Sequence, residues 1–396
     1  MNTNNYLLDT QGSDAMKPIP VTVLSGFLGS GKTTLLNRIL TENHSLKIAV
    51  IVNDMSDVNI DAKSVKHTVT RADESLVEMT NGCICCTLRE DLLIAVKDLA
   101  RKGRFDYIVI ESSGISEPLP VAETFTFEDE EGTSLSSYAR LDTMVTMIDA
   151  HSLLTMLESN SLLENLSGQE GDDRTLATLL VEQIEFADVI IVNKTDLCDE
   201  ETLEKIRTTL TSLNPQAKRI ETSHANVPIN EVIATNRFSI EKAETMPMWL
   251  KEARGEHVPE TEEYGIQSTT FRATKPFHPA RIHDWIGRNT KNIIRAKGSL
   301  WLATKPDLII EFSKAGSQRE VRPVGIWDAV DPNYTPEDEE WGDRGTVLVF
   351  IGQDLDKKAI HEGLEACLIT DEEATHMDTL EDPFPDWGIP SDAENE

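Results

Sequence analysis

The segment Gly26-Phe27-Leu28-Gly29-Ser30-Gly31-Lys32-Thr33 satisfies the pattern G-x-x-x-x-G-K-[ST] in full. The apolar run VTVLS precedes it, and Leu35, Leu36, Ile39 and Leu40 mark an amphipathic helix after it. In such a strand–loop–helix unit the glycines let backbone N–H groups turn inward around phosphate, and the helix N-terminus adds its partial positive charge. Lys32 is expected against the β- and γ-phosphates, and the Thr33 hydroxyl on Mg²⁺.

A second group concerns the base. Asn193-Lys194-Thr195-Asp196 directly follows the apolar run ADVIIV. An aspartate there can accept both N–H donors of guanine's N1/N2 edge, and facing adenine it would be left unpaired. Asn193 and Lys194 would brace the loop and cover the base. Alone, these four letters also describe a helix-start turn; downstream of a phosphate loop they point to GTP. A third group ends the run DYIVIE, where Glu111-Ser112-Ser113-Gly114 offers an acid and a γ-phosphate-sensing glycine. Glu111 is expected to hold Mg²⁺ through water or to orient the attacking water. Asn53-Asp54 ends the run KIAVIVN; Asp54 is a further candidate near the metal, with a plain strand-end turn as the alternative. Lys32, Glu111 and Asp54 are therefore the catalytic candidates. No glutamine or arginine stands out as an in-chain accelerator, so slow intrinsic hydrolysis, helped by a partner or ligand, is expected.

Cys83, Cys85 and Cys86 crowd into NGCICCTLRE, between the phosphate loop and the Glu111 strand. Three thiols in four residues can converge on one soft ion, Zn²⁺ or Cu⁺. They supply at most three of the four ligands zinc prefers, which suits transfer better than permanent structure. Apolar packing and a redox-sensing vicinal pair are the competing readings. Cys198 and Cys367 are isolated and are expected to pack. His44, His67, His257, His278 and His283 are dispersed sources of a fourth ligand, each more in keeping with a surface or capping role.

These groups need elements to position them. Short β-branched runs at 20–25, 47–53, 106–112, 143–149, 188–194 and 217–222 alternate with helical patterns, which predicts an α/β fold with a mostly parallel sheet. A helix over 89–102 follows the cysteines. The boundaries read as a lead-in over 1–17, a nucleotide-binding domain over 18–250 and a charged linker over 251–264. A smaller α+β domain follows over 265–370, with an acidic loop near 331–345. The tail, 371–396, holds ten acids and no lysine or arginine and is expected to be solvated.

Composition sets the outer limits. The chain has 396 residues, with 37 basic against 69 acidic side chains and a net charge of −32. That surface argues against nucleic-acid and anionic-membrane partners. No apolar run is long enough to span a membrane, and the N-terminus lacks the pattern of a secretory signal. Five cysteines, three of them clustered, make a poor disulfide framework and fit a reducing cytoplasm.

Together GFLGSGKTTLLNRIL, IVNDMSDVNID, EMTNGCICCTLREDLL, ESSGISEP and NKTDL resemble the CobW-type metallochaperone GTPases. These are P-loop proteins of the class that includes the hydrogenase and urease nickel-insertion GTPases, HypB and UreG. The likeness is greatest to the YciC-like zinc-homeostasis branch. It extends over the whole chain through PETEEYGI, RAKGSLWLA and GDRGTVLVFIG. It implies GTP hydrolysis coupled to zinc binding and delivery to a client metalloprotein, with GTP, Mg²⁺ and Zn²⁺ as ligands. Cobalt or nickel insertion, and a GTP-regulated sensor that delivers nothing, are the alternatives; a homodimer is left open. By residue, Gly26, Gly29, Gly31, Lys32, Thr33 and Thr34 match the phosphate loop and Cys83, Cys85 and Cys86 the metal motif. Glu111 and Gly114 match the acid strand, and Asn193, Lys194 and Asp196 the guanine motif. Two features depart. Many relatives carry NEFG where this chain has Asn53-Asp54-Met55-Ser56, and many carry a histidine-rich stretch that this sequence lacks.

Overall fold

Seven strands form one fully parallel sheet in the computed structural model: β1 (Ile19–Ser25), β2 (Ile48–Asn53), β3 (Ser75–Met79), β4 (Tyr107–Glu111), β5 (Ala139–Asp149), β6 (Val189–Asn193) and β7 (Lys218–Glu221). Their order is β3-β2-β4-β1-β5-β6-β7. The structure describes residues 17–42, 45–53, 75–79, 87–116, 118–125, 135–159, 161–163, 175–239, 266–288, 292–330, 334 and 342–387. Central strands β4 and β6 are buried at every position, as crossover helices on both faces require. The helices are α1 (Lys32–Thr41), α2 (Thr87–Arg101), α3 (Pro118–Glu123), α4 (Leu153–Leu157), α5 (Leu176–Glu185) and α6 (Glu200–Leu213). Helix α1 packs Leu35, Leu36, Ile39 and Leu40 on one face of the sheet. On the other side, α5 buries Leu179, Leu180 and Ile184 with Ile206, Leu210 and Leu213 of α6. The expected sheet is present with one strand more, since β3 adds an edge next to β2.

The C-terminal domain is a five-stranded antiparallel sheet of β8 (Ile266–Ala273), β9 (Ile293–Leu300), β10 (Leu308–Ala315), β11 (Gln318–Ile326) and β12 (Thr346–Gln353), in the order β11-β10-β9-β12-β8. Helices α7 (Pro279–Arg288) and α8 (Lys357–Glu365) cover it, with Ile282, Trp285, Ile360 and Leu364 in a shared core with Phe312 and Phe350. The α+β architecture is as expected. The stretch beyond residue 370, expected to be solvated, runs along this domain as far as Trp387, each of its residues exposed or half-buried. Arg281 donates to both carboxylate oxygens of Glu373 at 2.8 and 2.7 Å, Lys305 pairs with Asp382, and Phe384 meets the His283 ring edge-on at 5.4 Å. Two aromatic side chains among the acids give this stretch apolar area to bury, which a charge count overlooks. The linker region 251–264 lies outside the described residues, as does most of the acidic loop 331–345.

Lys314 of β10 lies where the two domains meet and is only 3% exposed. Its ammonium donates to Ile293 O at 2.6 Å and to Gly316 O. Burial, with a smaller effect from Arg319, lowers its pKa from the ordinary 10.5 to about 8. Between these values the unfolded chain holds a proton that the folded chain has released, so stability rises with pH from about 8 by up to about 3 kcal/mol. Cys367, raised from 9.0 to about 11 by burial, opposes this above pH 9. Urea unfolding at pH 7.5, 8.5 and 9.5 should therefore show a rise in the native chain that Lys314→Met flattens. A Lys314→Met curve parallel to the native one would refute the assignment.

Candidate nucleotide site

Strand β1 delivers Gly26 to the C-terminal edge of the sheet, and the next glycines turn the chain into α1. Gly26, Gly29 and Gly31 have φ of +131°, +75° and +109°. A Cβ on Gly26 would lie 2.1 Å from Met147 O, and one on Gly31 would lie 2.5 Å from Asn193 Nδ2. The loop is thus pressed onto β5 and β6, where only glycine fits. Helix α1 starts without a side-chain cap and with no acid in its first turn, so its end favours an anion. Lys32 is buried and donates to Gly26 O at 2.6 Å and Phe27 O at 3.3 Å, across the inside of its own loop. Thr34 is exposed, and Ser30 is buried.

Glu111 ends β4 in register with Leu24 of β1 and Val52 of β2. It is buried, and its Oε1 accepts a hydrogen bond from Thr33 Oγ1 at 3.3 Å. A hydroxyl and a carboxylate this close are the hard oxygen donors that Mg²⁺ takes, so these residues fit the ion. Gly114 follows in the loop after β4, where a Cβ would come within 2.8 Å of Leu28 N. This loop is braced from below: Gln183 of α5 donates from Nε2 to Ser116 O at 3.1 Å and to Gly114 O at 3.4 Å.

The base end is built on β6. Asn193 Nδ2 donates to Ser30 O at 2.9 Å, and its Oδ1 accepts from Ala225 N at 3.0 Å. One buried amide therefore ties the phosphate loop to the loop after β7. Thr195 donates to Thr222 O through both its backbone N–H and its hydroxyl, at 3.2 and 3.1 Å. Lys194, at φ +61°, pairs with Asp149 Oδ2 at 2.5 Å. Asp196 opens the first turn of the 3₁₀ segment Thr195–Leu197, exposed and without a hydrogen-bond partner among the described residues.

Of the residues singled out from sequence, the structure brings together Gly26 to Thr33, Glu111, Gly114, Asn193, Lys194 and Asp196 around one edge of the sheet. Cys83, Cys85, Cys86 and Asp54 lie outside the described residues, as do His44, His67 and His257. Among the described residues no group of three or more His, Cys, Asp or Glu is arranged to hold a metal. Both described cysteines suit packing: burial first, then Asp149, Asp199 and Asp196, push the Cys198 thiol up, and burial pushes up Cys367. Reasoning from sequence missed Asp149, Gln183 and the 222–226 loop. The loop after β7 takes φ of +53° and +52° at His224 and Ala225, a conformation that neither residue type announces in the sequence.

Gly31→Ala is expected to lower nucleotide affinity at least about 100-fold. The methyl would displace Asn193 Nδ2 from Ser30 O and hold alanine at a φ that costs roughly 1–3 kcal/mol. Equilibrium dialysis with radiolabelled GDP checks it, and unchanged affinity would contradict the fit.

A parallel sheet whose glycine loop enters a helix, with a separate antiparallel domain behind it, defines a P-loop nucleotide-binding protein with a C-terminal accessory domain. The family model of the CobW/HypB/UreG nucleotide-binding domain matches residues 20–221, and that of the cobalamin synthesis protein cobW C-terminal domain matches residues 266–368. The chain belongs to this family of P-loop GTPases. It is 46% identical over 383 residues to the zinc-regulated GTPase metalloprotein activator 1 of Dictyostelium discoideum, covering 90% of this chain and 81% of the relative. It is 28% identical to the zinc chaperone YjiA of Escherichia coli, covering 87% and 97% of the two chains. The zinc chaperone CobW of Pseudomonas aeruginosa is 27% identical, covering 88% and 92%. Among the described residues no helix is long and apolar enough to cross a membrane.

Proposed function

We propose that this chain is a cytoplasmic GTP-hydrolysing zinc metallochaperone whose nucleotide state sets zinc affinity at Cys83, Cys85 and Cys86 and so times transfer to a client metalloprotein. The observation that carries the GTPase part is the buried amide of Asn193, by which the NKTD motif is tied to the phosphate loop at Ser30 and to the loop after β7 at Ala225. It makes one continuous cradle of two motifs far apart in sequence. In this reading Asp196 accepts from guanine N1 and N2, Lys194 covers the base, and Lys32 leaves its own loop carbonyls for the β- and γ-phosphates. Thr33 and Glu111 would hold Mg²⁺, which supplies charge neutralisation across the phosphates when bound. Gly114 N–H meets the γ-phosphate, and its loss on hydrolysis releases the segment after β4. The zinc part is supported by the names of the relatives and by thiolate chemistry.

A thousandfold change in zinc affinity requires about 4 kcal/mol of coupling, above the roughly 1–3 of ordinary allosteric sites. Coupling is reciprocal, so zinc must tighten GTP binding by the same factor. The test is a competitive zinc titration under reducing conditions, comparing Mg²⁺ with a non-hydrolysable GTP analogue against Mg²⁺–GDP. Tighter zinc with the analogue supports a nucleotide-gated carrier. Equal affinity in both states would leave a sensing or structural zinc site and overturn delivery.

A further inference from the structure

Helix α5 stands between the nucleotide site and the C-terminal domain and is bonded to both. Gln183 and Glu185 are two residues apart, roughly 200° around the helix, so they face opposite ways. Gln183, 0% exposed, reaches the loop after β4 and donates to the carbonyls of Ser116 and Gly114. Glu185, 2% exposed, faces Arg295 of β9, itself 1% exposed. The guanidinium donates to both carboxylate oxygens, Nε to Oε1 at 2.8 Å and Nη2 to Oε2 at 3.2 Å. Its remaining nitrogen donates to Ser313 Oγ at 2.9 Å and Lys314 O at 3.3 Å, so it is locked into β10 as well.

The backbone between these two side chains is clamped. Thr146 Oγ1 donates to Gln183 O at 2.6 Å, and Asn214 Nδ2 donates to Ile184 O, Glu185 O and Ala187 O at 2.9, 3.1 and 2.9 Å. A helix end fixed in this way transmits displacement rather than absorbing it. The loop it supports has little room on the other side, since Gly114 already lies against Leu28 of the phosphate loop. A desolvated Arg–Glu pair costs too much to break for the domain to shift independently of the helix.

We propose that Gln183 is the positioning residue for the γ-phosphate-sensing loop, and that the Glu185–Arg295 pair makes its position depend on how the C-terminal domain is seated. A client acting on that domain would thereby act on GTP turnover without touching nucleotide. This rests on the GTPase reading above.

The test uses the full chain in four forms: native, Gln183→Met, Glu185→Met/Arg295→Met, and all three substitutions together. Removing both partners of the buried pair avoids stranding a charge. Two readouts are taken, hydrogen exchange at the amides of 112–116 and single-turnover GTP hydrolysis, with GDP affinity measured alongside. Gln183→Met and the paired variant should each speed exchange and slow hydrolysis about tenfold, with GDP affinity within twofold of native. The combined variant should be no worse than either, because both act through one link. Native exchange and hydrolysis in the paired variant, or effects that multiply in the combined one, would overturn the proposal. Should the methionine pair melt early, Arg295→Lys is read in the same way, since lysine keeps the charge but not the fork. Exchange needs no turnover. A native chain that hydrolyses no GTP would overturn the GTPase reading, and the coupling would still be decided by exchange.

Discussion

Replacing Cys83, Cys85 and Cys86 together by serine is expected to lower zinc affinity in the GTP-analogue state at least about 1000-fold, a loss of about 4 kcal/mol. Thiolates are the soft ligands zinc prefers, whereas a serine hydroxyl stays protonated at neutral pH and binds the ion weakly. In sequence the three residues fall between the phosphate loop and helix α2, and none of them is among the residues assigned to phosphate or base, so GDP affinity should stay within about threefold. Zinc competition against a chromophoric chelator, run in both nucleotide states, gives the result directly. Zinc binding that survives the triple substitution would place the site elsewhere in the chain. Elemental analysis of reduced, freshly purified protein decides the redox alternative, since a sensor that carries no metal would contain none.

Asp196→Asn should weaken GTP binding about 100-fold and improve the relative binding of a xanthine nucleotide. A charge-assisted hydrogen bond contributes about 1.5–3 kcal/mol, and this carboxylate is expected to accept two from guanine. Asparagine presents an N–H₂ where guanine also presents a donor, while the carbonyl at position 2 of xanthine can accept it. The fold should not notice. Asp196 makes no hydrogen bond among the described residues, and the turn that carries it is held by Thr195 on Thr222 and by Lys194 on Asp149. Displacement of a fluorescent guanine nucleotide by GTP and by XTP, beside a thermal melt, separates the two effects. GTP affinity unchanged with an unchanged melting point would mean that Asp196 does not read the base.

The two strands that the sequence pattern did not reveal share a property. β3 (SLVEM) and β11 (QREVRPVGI) are both edge strands, at one end of the parallel and of the antiparallel sheet. An edge strand needs only one hydrogen-bonded neighbour and less apolar cover. β11 accordingly carries charges and Pro323, which look like loop in a hydrophobicity scan. The central strands, buried on both sides, have no such freedom, and their apolar runs are legible directly. The tail is the opposite case: its charge is legible in the sequence, while the partners of Phe384 and Trp387, His283 of α7 and Lys305 in the turn before β10, come together only in the fold.

What the sequence determines by itself is the chemistry that lies within a few residues along the chain. The phosphate loop is such a case, because three glycines, a lysine and a threonine at fixed spacing shape a turn with their own backbone. NKTD and CICC are local patterns of the same kind, on which the proposed guanine and zinc chemistry rests, and the alternation of strands and helices defines the fold that carries them. Tertiary structure alone decides which of these local pieces become one site. Asn193 reaches Ser30 and Ala225 across gaps of 163 and 32 residues, and Arg295 meets Glu185 across 110. Nothing in the local pattern marks Gln183 or Glu185 as anything but polar residues on an amphipathic helix. They acquire meaning because burial removes water as a partner, so each polar group must find its match in another part of the chain.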